Sequence, residues 1–261
     1  MEIQNLITIG KLYQALAVVS SEVQKNPQQV NSRQRLAEIL CIIGDWQKAD
    51  NQFDIVLNQQ PDDPQVTLCR WLIRSEQLRW SCFNTGALPS FINGPTELQQ
   101  MVLKALIERR NSNSVAAARL FTELKALIPT IKGTCNGQPF VGIIDGNDWC
   151  LNSLEVLTSK GEYYWVPLEM IKQMTMAPPK YLIDLIWRKA FLSLHNGVEG
   201  DVYIPTIYID TPKEFETAKL GYVTDWIIKE DQPVTGIGQR LFIINDDLIP
   251  IMEINHLTID A

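Results

Sequence analysis

Through the first half of the chain apolar residues recur at spacings of three and four, as in Leu36, Ile39, Leu40 and Ile43, the period that lines one face of an α-helix. The pattern predicts two helical hairpins, 3–9 with 12–25 and 31–43 with 46–59, then a longer helix over 64–83 and a last hairpin, 96–109 with 114–128. Pro64 suits the first turn of the long helix, whose apolar stripe is Leu68, Trp71, Leu72 and Leu78. Across 129–137 the period falls towards two. From Phe140 onward, short β-branched and aromatic runs alternate with Gly, Asn, Asp and Pro, which predicts strands over 140–144, 163–166, 171–176, 190–195, 201–208, 226–229, 240–244 and 249–254. Two short helices, 179–187 and 213–220, interrupt them. The expected architecture is therefore an α-helical domain, 1–130, followed by an antiparallel α+β domain, 131–261, partly closed towards a barrel.

The helical half also repeats itself after 34 residues: Gly10, Leu12 and Ala15 return as Gly44, Trp46 and Ala49, and Pro27 returns as Pro61. Ala117, Phe121, Leu124 and Pro129 keep the offsets of Ala49, Phe53, Val56 and Pro61 at a shift of 68, twice the period. Thirty-four is the tetratricopeptide period, in which small residues let paired helices approach and a proline stops the second helix. A TPR-like α-α superhelix is expected, whose inner face presents side chains to a peptide or helix. On that face the candidate partner-binding residues are Asn31, Gln34, Arg35 and Glu38, with Arg70, Trp71 and Arg74 from the following helix. Arginine suits the task because its planar fork pairs with a carboxylate while its stem covers apolar surface.

Composition narrows the class. With 261 residues, 46% of them hydrophobic and 20% charged, the chain can bury sizeable cores. A net charge of −7 and a pI near 5.0 argue against a nucleic-acid groove, which needs a surplus of Lys and Arg. No run approaches the length of a membrane span, and the first residues lack a signal-peptide layout, so neither membrane insertion nor export is expected and a cytoplasmic location is. Five cysteines without a C-x-x-C pair read as reduced, packed thiols.

No motif announces catalysis, a metal site or a cofactor. His195 and His256 have no ligand neighbours in sequence, and there is no nucleophile elbow. Gly236-Ile237-Gly238-Gln239-Arg240 lacks the Lys-Ser/Thr of a phosphate loop and reads as a turn or bulge, with Arg240 expected to pair with a carboxylate such as Asp225. Asp145-Gly146-Asn147-Asp148 and Asn245-Asp246-Asp247 read as turns rather than calcium loops. In Tyr163-Tyr164-Trp165-Val166-Pro167, alternation puts successive side chains on opposite faces, so one face is core.

Several of these segments together resemble one family. Gly137-x-Pro139-Phe140 with Asp145 and Asp148, Tyr163 to Pro167 with Glu169 and Ile171, Pro178-Pro179-x-x-Leu182-x-Asp184-Leu185-x-Trp187, Tyr203-x-Pro205, Thr224-Asp225-Trp226 and Gly236-x-Gly238-Gln239-Arg240 are similar to the ImpE family, also called TagJ, of type VI secretion gene clusters. Gly44-Asp45-Trp46 with Ala49 and Gln52, and Glu76-x-x-Arg79, extend the resemblance into the helical half. It implies a cytoplasmic, non-enzymatic accessory protein that binds the N-terminal helix of the small contractile-sheath subunit and affects sheath assembly or recycling by a AAA+ disassembly ATPase. Two alternatives stand beside it: a general peptide-binding scaffold or chaperone, and an enzyme using Asp145, Asp148 or Arg240 in the α+β half.

Overall fold

The repeat at Gly10 and Gly44 has a backbone cause. Both adopt left-handed φ, +77° and +87°, a conformation that ends an α-helix and that glycine enters without a Cβ penalty. Gly44 N–H and Asp45 N–H both donate to Leu40 O, at 3.0 and 2.9 Å, and Lys11 N–H closes on Leu6 O at 2.8 Å. The computed structural model describes residues 2–261. Helices α1 (Glu2–Thr8) and α2 (Leu12–Lys25) make one hairpin and α3 (Val30–Ile43) and α4 (Trp46–Gln59) the next. The single helix α5 (Pro64–Asn84) and the hairpin of α6 (Glu97–Arg110) and α7 (Ser114–Lys125) follow. Asp63 caps α5 by accepting from Gln65 N–H and Val66 N–H, and Thr96 closes a capping box with Gln99. Ala15, Ala49, Phe53 and Val56 are fully buried, and Ala117, Phe121 and Leu124 nearly so. No helix among the described residues is long and apolar enough to cross a membrane.

The strands are β1 (Lys132–Cys135), β2 (Gln138–Val141), β3 (Ile143–Asp145), β4 (Ser153–Leu157), β5 (Tyr163–Pro167), β6 (Ile171–Met176), β7 (Trp187–Leu194) and β8 (Glu199–Pro205). After the one-turn helix α8 (Glu216–Lys219) come β9 (Thr224–Ile227), β10 (Thr235–Gly238), β11 (Leu241–Ile244), β12 (Asp247–Pro250) and β13 (His256–Ile259). Eight of them form one antiparallel sheet in the order β2-β1-β13-β6-β7-β8-β4-β5; β12-β11-β3 and β10-β9 form two small sheets.

The large sheet does not close into a barrel, which corrects the barrel-like part of the expectation. Its two edges are capped instead. Ser90 lies along β5, donating to Tyr163 O at 2.8 Å and accepting from Trp165 N–H at 3.1 Å. The Asn245 side chain caps β2, accepting from Val141 N–H at 2.7 Å and donating to Pro139 O at 3.2 Å. Blocked edges leave no ladder for another chain to extend.

Side chains alternate between two cores. Leu157, Tyr163, Trp165 and Trp187 join the apolar cluster of the helices, whereas Leu154, Val156, Val166 and Leu192 pack with Phe242 and Ile244 of the small sheet beneath. Helices give way to strands between Lys125 and Lys132, yet one hydrophobic core runs across that boundary. Calorimetry is therefore expected to give a single unfolding transition for the chain; two resolved transitions would contradict a shared core.

Four strands escaped the sequence pattern. β1 and β10 carry glycine, β13 is short, and β4 has Glu155 at its centre. Gly133 is required in β1, since a Cβ there would lie 1.9 Å from Thr258 O. The helix expected at 179–187 is a 3₁₀ turn, Leu182–Leu185, because Asp184 folds back to accept from Lys180 N–H and Tyr181 N–H and Trp187 already belongs to β7.

Candidate functional site

Charged residues placed on apolar faces mark the junction of helices and sheet. Glu76 and Arg79 stand one turn apart on the buried face of α5, and Glu155 is the centre of the fully buried β4. Arg79 grips Glu155 with two nitrogens, at 2.8 and 3.1 Å, binds Glu76 at 2.8 Å and donates to Ile207 O at 3.0 Å. Arg240, at the entrance to β11, shares Glu155 Oε2 with Arg79, and its Nε lies 3.5 Å from Asp145 Oδ2. The Tyr163 hydroxyl also donates to Glu155 and receives the Trp165 indole N–H at 2.5 Å. The Trp187 indole donates to Glu76 at 3.0 Å, and the Tyr208 hydroxyl to Asp145 at 2.9 Å.

Burial sets the electrostatics. Desolvation opposes the charge on Glu155, but the guanidiniums of Arg79 and Arg240 overcome it and hold the carboxyl well below its usual range. Asp145 is pushed up to about 6 because desolvation outweighs the pull of Arg240. Burial also raises the Cys150 thiol, with Glu155 adding to it, so the thiolate is disfavoured. Glu155 is 1% exposed and Arg240 0%, so the Glu155–Arg240 pair is closed to solutes in this fold. Its chemistry is that of a clamp: two arginines share one carboxylate and join helix to sheet.

Two openings lie beside the clamp. A cavity of about 40 Å³ touches Glu76, Arg79, Trp187 and Lys219, whose ammonium burial lowers to about 8 against the attraction of Glu76. A groove of about 360 Å³ runs between α5, through Pro64, Leu68 and Leu72, and the 177–184 segment, through Pro178, Tyr181 and Ile183.

The residues proposed from the sequence fall as follows. Asn31 and Arg35 are exposed on α3. Gln34 donates to Glu38 at 3.5 Å, and Glu38 is buried where α3 meets the 3₁₀ turn. Arg70 pairs with Asp50 at 2.7 Å and Asp54 at 2.8 Å. The Arg74 guanidinium stacks over Trp71, 4.2 Å from the ring centroid, and both pack against Gly161 of the β4–β5 turn. Thus Glu38, Trp71 and Arg74 of this face meet the chain's own later half.

Arg240 does not pair with Asp225, whose carboxylate accepts the N–H of Trp226 at 2.8 Å. It lies instead beside Glu155 and Asp145, because β11 pairs with β3 and carries it under β4. Asp148 bonds Val234 N–H at 2.8 Å and Lys125 at 2.6 Å, tying its loop to α7. Asn245 and Asp246, with φ of +52° and +70°, form the tight β11–β12 turn expected there. Glu155 was missed altogether, although a carboxylate inside the run Leu154–Leu157 was a signal.

Glu38 gives a testable pH effect. Burial lifts its carboxyl to about 7 from an ordinary 4.5, with Gln34 and Arg35 opposing and Asp184 assisting. A raised folded value means the neutral acid supports the fold below the unfolded value, and that support is lost as pH rises through 7. Glu38→Gln is therefore expected to be more stable than the parent by about 2 kcal/mol above pH 7, with the gap closing towards pH 4. Urea unfolding at both pH values checks this, and an equal gap at both would refute it.

Residues 137–258 match the model of the ImpE protein family. The chain is also 27% identical to the type VI secretion system accessory component TagJ of Pseudomonas aeruginosa over 97% of its own length and 89% of that protein's. The resemblance drawn from the motifs is borne out, and the chain is related to a type VI secretion accessory component. The crystal structure of protein VPA1032 from Vibrio parahaemolyticus superposes with a TM-score of 0.93 at 22% identity, covering 100% of this chain and 98% of that one, and shows the same fold. The ImpE motifs, scattered in sequence, converge on the clamp: Asp145, Tyr163, Trp165, Trp187 and Arg240 all belong to it. Gly236 belongs there too, because a Cβ at that position would lie 2.3 Å from the Tyr208 ring.

Proposed function

We propose that this chain is a non-enzymatic accessory protein of the type VI secretion system that works in the cytoplasm and binds the N-terminal helix of the small contractile-sheath subunit. Through that helix it modulates sheath assembly or recycling. The observation that carries the reading is the closure of the clamp. The most strongly perturbed ionisable groups usually mark a reactive centre, but here they are consumed by one another and buried. Largely apolar openings remain elsewhere, the α5 groove among them, and an amphipathic helix is recognised by burying its i, i+3, i+4, i+7 stripe in such a surface. The TagJ relative's designation as an accessory component supports the same reading.

In this proposal residues 1–130 act as TPR-like helical hairpins and 131–261 as the domain that braces them. Asn31, Gln34, Arg35, Glu38, Arg70, Trp71 and Arg74 lie on the helices nearest the bound segment. Size-exclusion chromatography of the purified chain mixed with the small sheath subunit tests this. Co-elution lost on deleting the subunit's N-terminal helix is expected; no co-elution, or co-elution that survives the deletion, would reject it.

A further inference from the structure

We propose that the segment 211–223 is an electrostatic latch, which holds the first helical hairpin, α1 with α2, against the sheet half by supplying the charges that the adjoining helix ends lack. The device does not depend on the partner proposed above.

Two helix ends are incomplete in their own sequence. α2 has no acidic residue in its first turn, and Lys11 before it gives no side-chain cap and a charge of the wrong sign. α3 has no basic residue in its last turn. The segment 211–223 supplies both. Glu216 of α8 accepts Tyr13 N–H at 2.9 Å, a bond across 203 positions that caps α2. Lys213 and Lys219 stand at the left-handed corner that ends α3: Lys213 Cε and Lys219 Nζ would each lie 3.9 Å from a Cβ on Gly44. An acid at a helix N-terminus and bases at a C-terminus each complement the helix dipole.

The equivalent corner one repeat earlier meets the same segment. A Cβ on Gly10 would lie 2.9 Å from Thr217 Cγ2. The Tyr13 hydroxyl donates to Lys213 O at 3.2 Å, and the Tyr222 hydroxyl donates to Ile7 O, in the last turn of α1, at 3.1 Å.

The two sides of the latch are fastened differently. On the sheet side Ala218 and Leu220 are buried, and Gln239 donates to Gly221 O at 2.5 Å. On the hairpin side both Tyr13 bonds are exposed, and salt weakens a charged contact in water. The hairpin is also the terminal element of the helical array and packs chiefly on α3. Terminal elements open at the lowest free energies. The hairpin is therefore the part that opens, and the latch sets how often.

Hydrogen exchange of the intact chain tests this, read by mass spectrometry against unstructured reference peptides at about 0.05 and about 0.5 M salt. Glu216→Ala removes the acceptor and suits a helix; exchange of the α1 and α2 amides is expected to quicken about fivefold. Tyr222→Phe, which removes only a hydroxyl, should quicken it about threefold. The parent's hairpin should lose protection in high salt, whereas that of Glu216→Ala should not respond. Glu214→Ala, on an exposed neighbour, should leave exchange as in the parent. Parental exchange in both latch variants would overturn the proposal by showing that packing alone closes the hairpin. Quickening shared equally by the strands would overturn it too, as general loosening of the fold.

Discussion

Glu155→Gln is expected to lower the unfolding free energy by about 3–5 kcal/mol, the usual cost of removing one partner from a buried ion pair. For a chain of this size that corresponds to a fall of about 6–20 °C in melting temperature. Glutamine keeps the volume, so the loss isolates charge: Arg79 and Arg240, both buried, would lose the carboxylate they share and keep only Glu76 and Asp145. Sign follows from linkage. The folded carboxyl titrates below its ordinary value, so its contribution is present above the unfolded value near 4.5 and is lost as pH falls below it. The gap between parent and variant should therefore be full at pH 7 and shrink in acid. A variant within about 1 kcal/mol of the parent at pH 7 would mean that the arginines find other neutralisation and that the clamp is not what joins helices to sheet.

Gly238→Ala carries the second large effect. Gly238 has φ of +82°, and a Cβ would meet Val223 O at 2.1 Å. A left-handed alanine costs about 1 kcal/mol, and relieving the backbone clash adds about 1–3 kcal/mol more. The damage would be local in origin and wide in effect. Gly238 N–H donates to the Thr211 hydroxyl at 2.8 Å and its carbonyl accepts from Tyr208 N–H at 2.9 Å. Displacing β10 therefore displaces Tyr208, and with it the hydroxyl that serves Asp145 and Leu241 N–H. Thermal unfolding should show a drop of several degrees, whereas an unchanged melting temperature would show that β10 yields freely. The glycines of this motif thus serve close backbone and ring approaches, with Arg240 as the clamp residue they position.

The helical half was largely legible because each local signal agreed with the fold. α2 and α4 have the predicted limits, and Gly10 and Gly44 end helices for a reason the residue type itself states. The sheet half was less legible because its strands are short and many are buried on both faces. β4 reads as Ser-Leu-Glu-Val-Leu, with every side chain buried and no alternation to detect. Alternation in Tyr163–Pro167 requires one packed face without saying which, and the bonds of Tyr163 and Trp165 around Glu155 depend on a strand pairing that spacing does not reveal. Arg240 was given a carboxylate partner but the wrong one, since sequence distance from Asp225 says nothing of the ladder that carries Arg240 beneath β4. The groove was invisible for the same reason: Leu68 and Tyr181 are over a hundred positions apart and meet only because the 177–184 segment folds over α5.

The most direct test is calorimetric titration of the intact chain with the N-terminal helix peptide of the small sheath subunit, beside a scrambled peptide of the same composition. Helix recognition through an apolar stripe predicts saturable one-to-one binding with a negative heat-capacity change for the native peptide and none for the scrambled one. Equal binding of both peptides, or of neither, would contradict it.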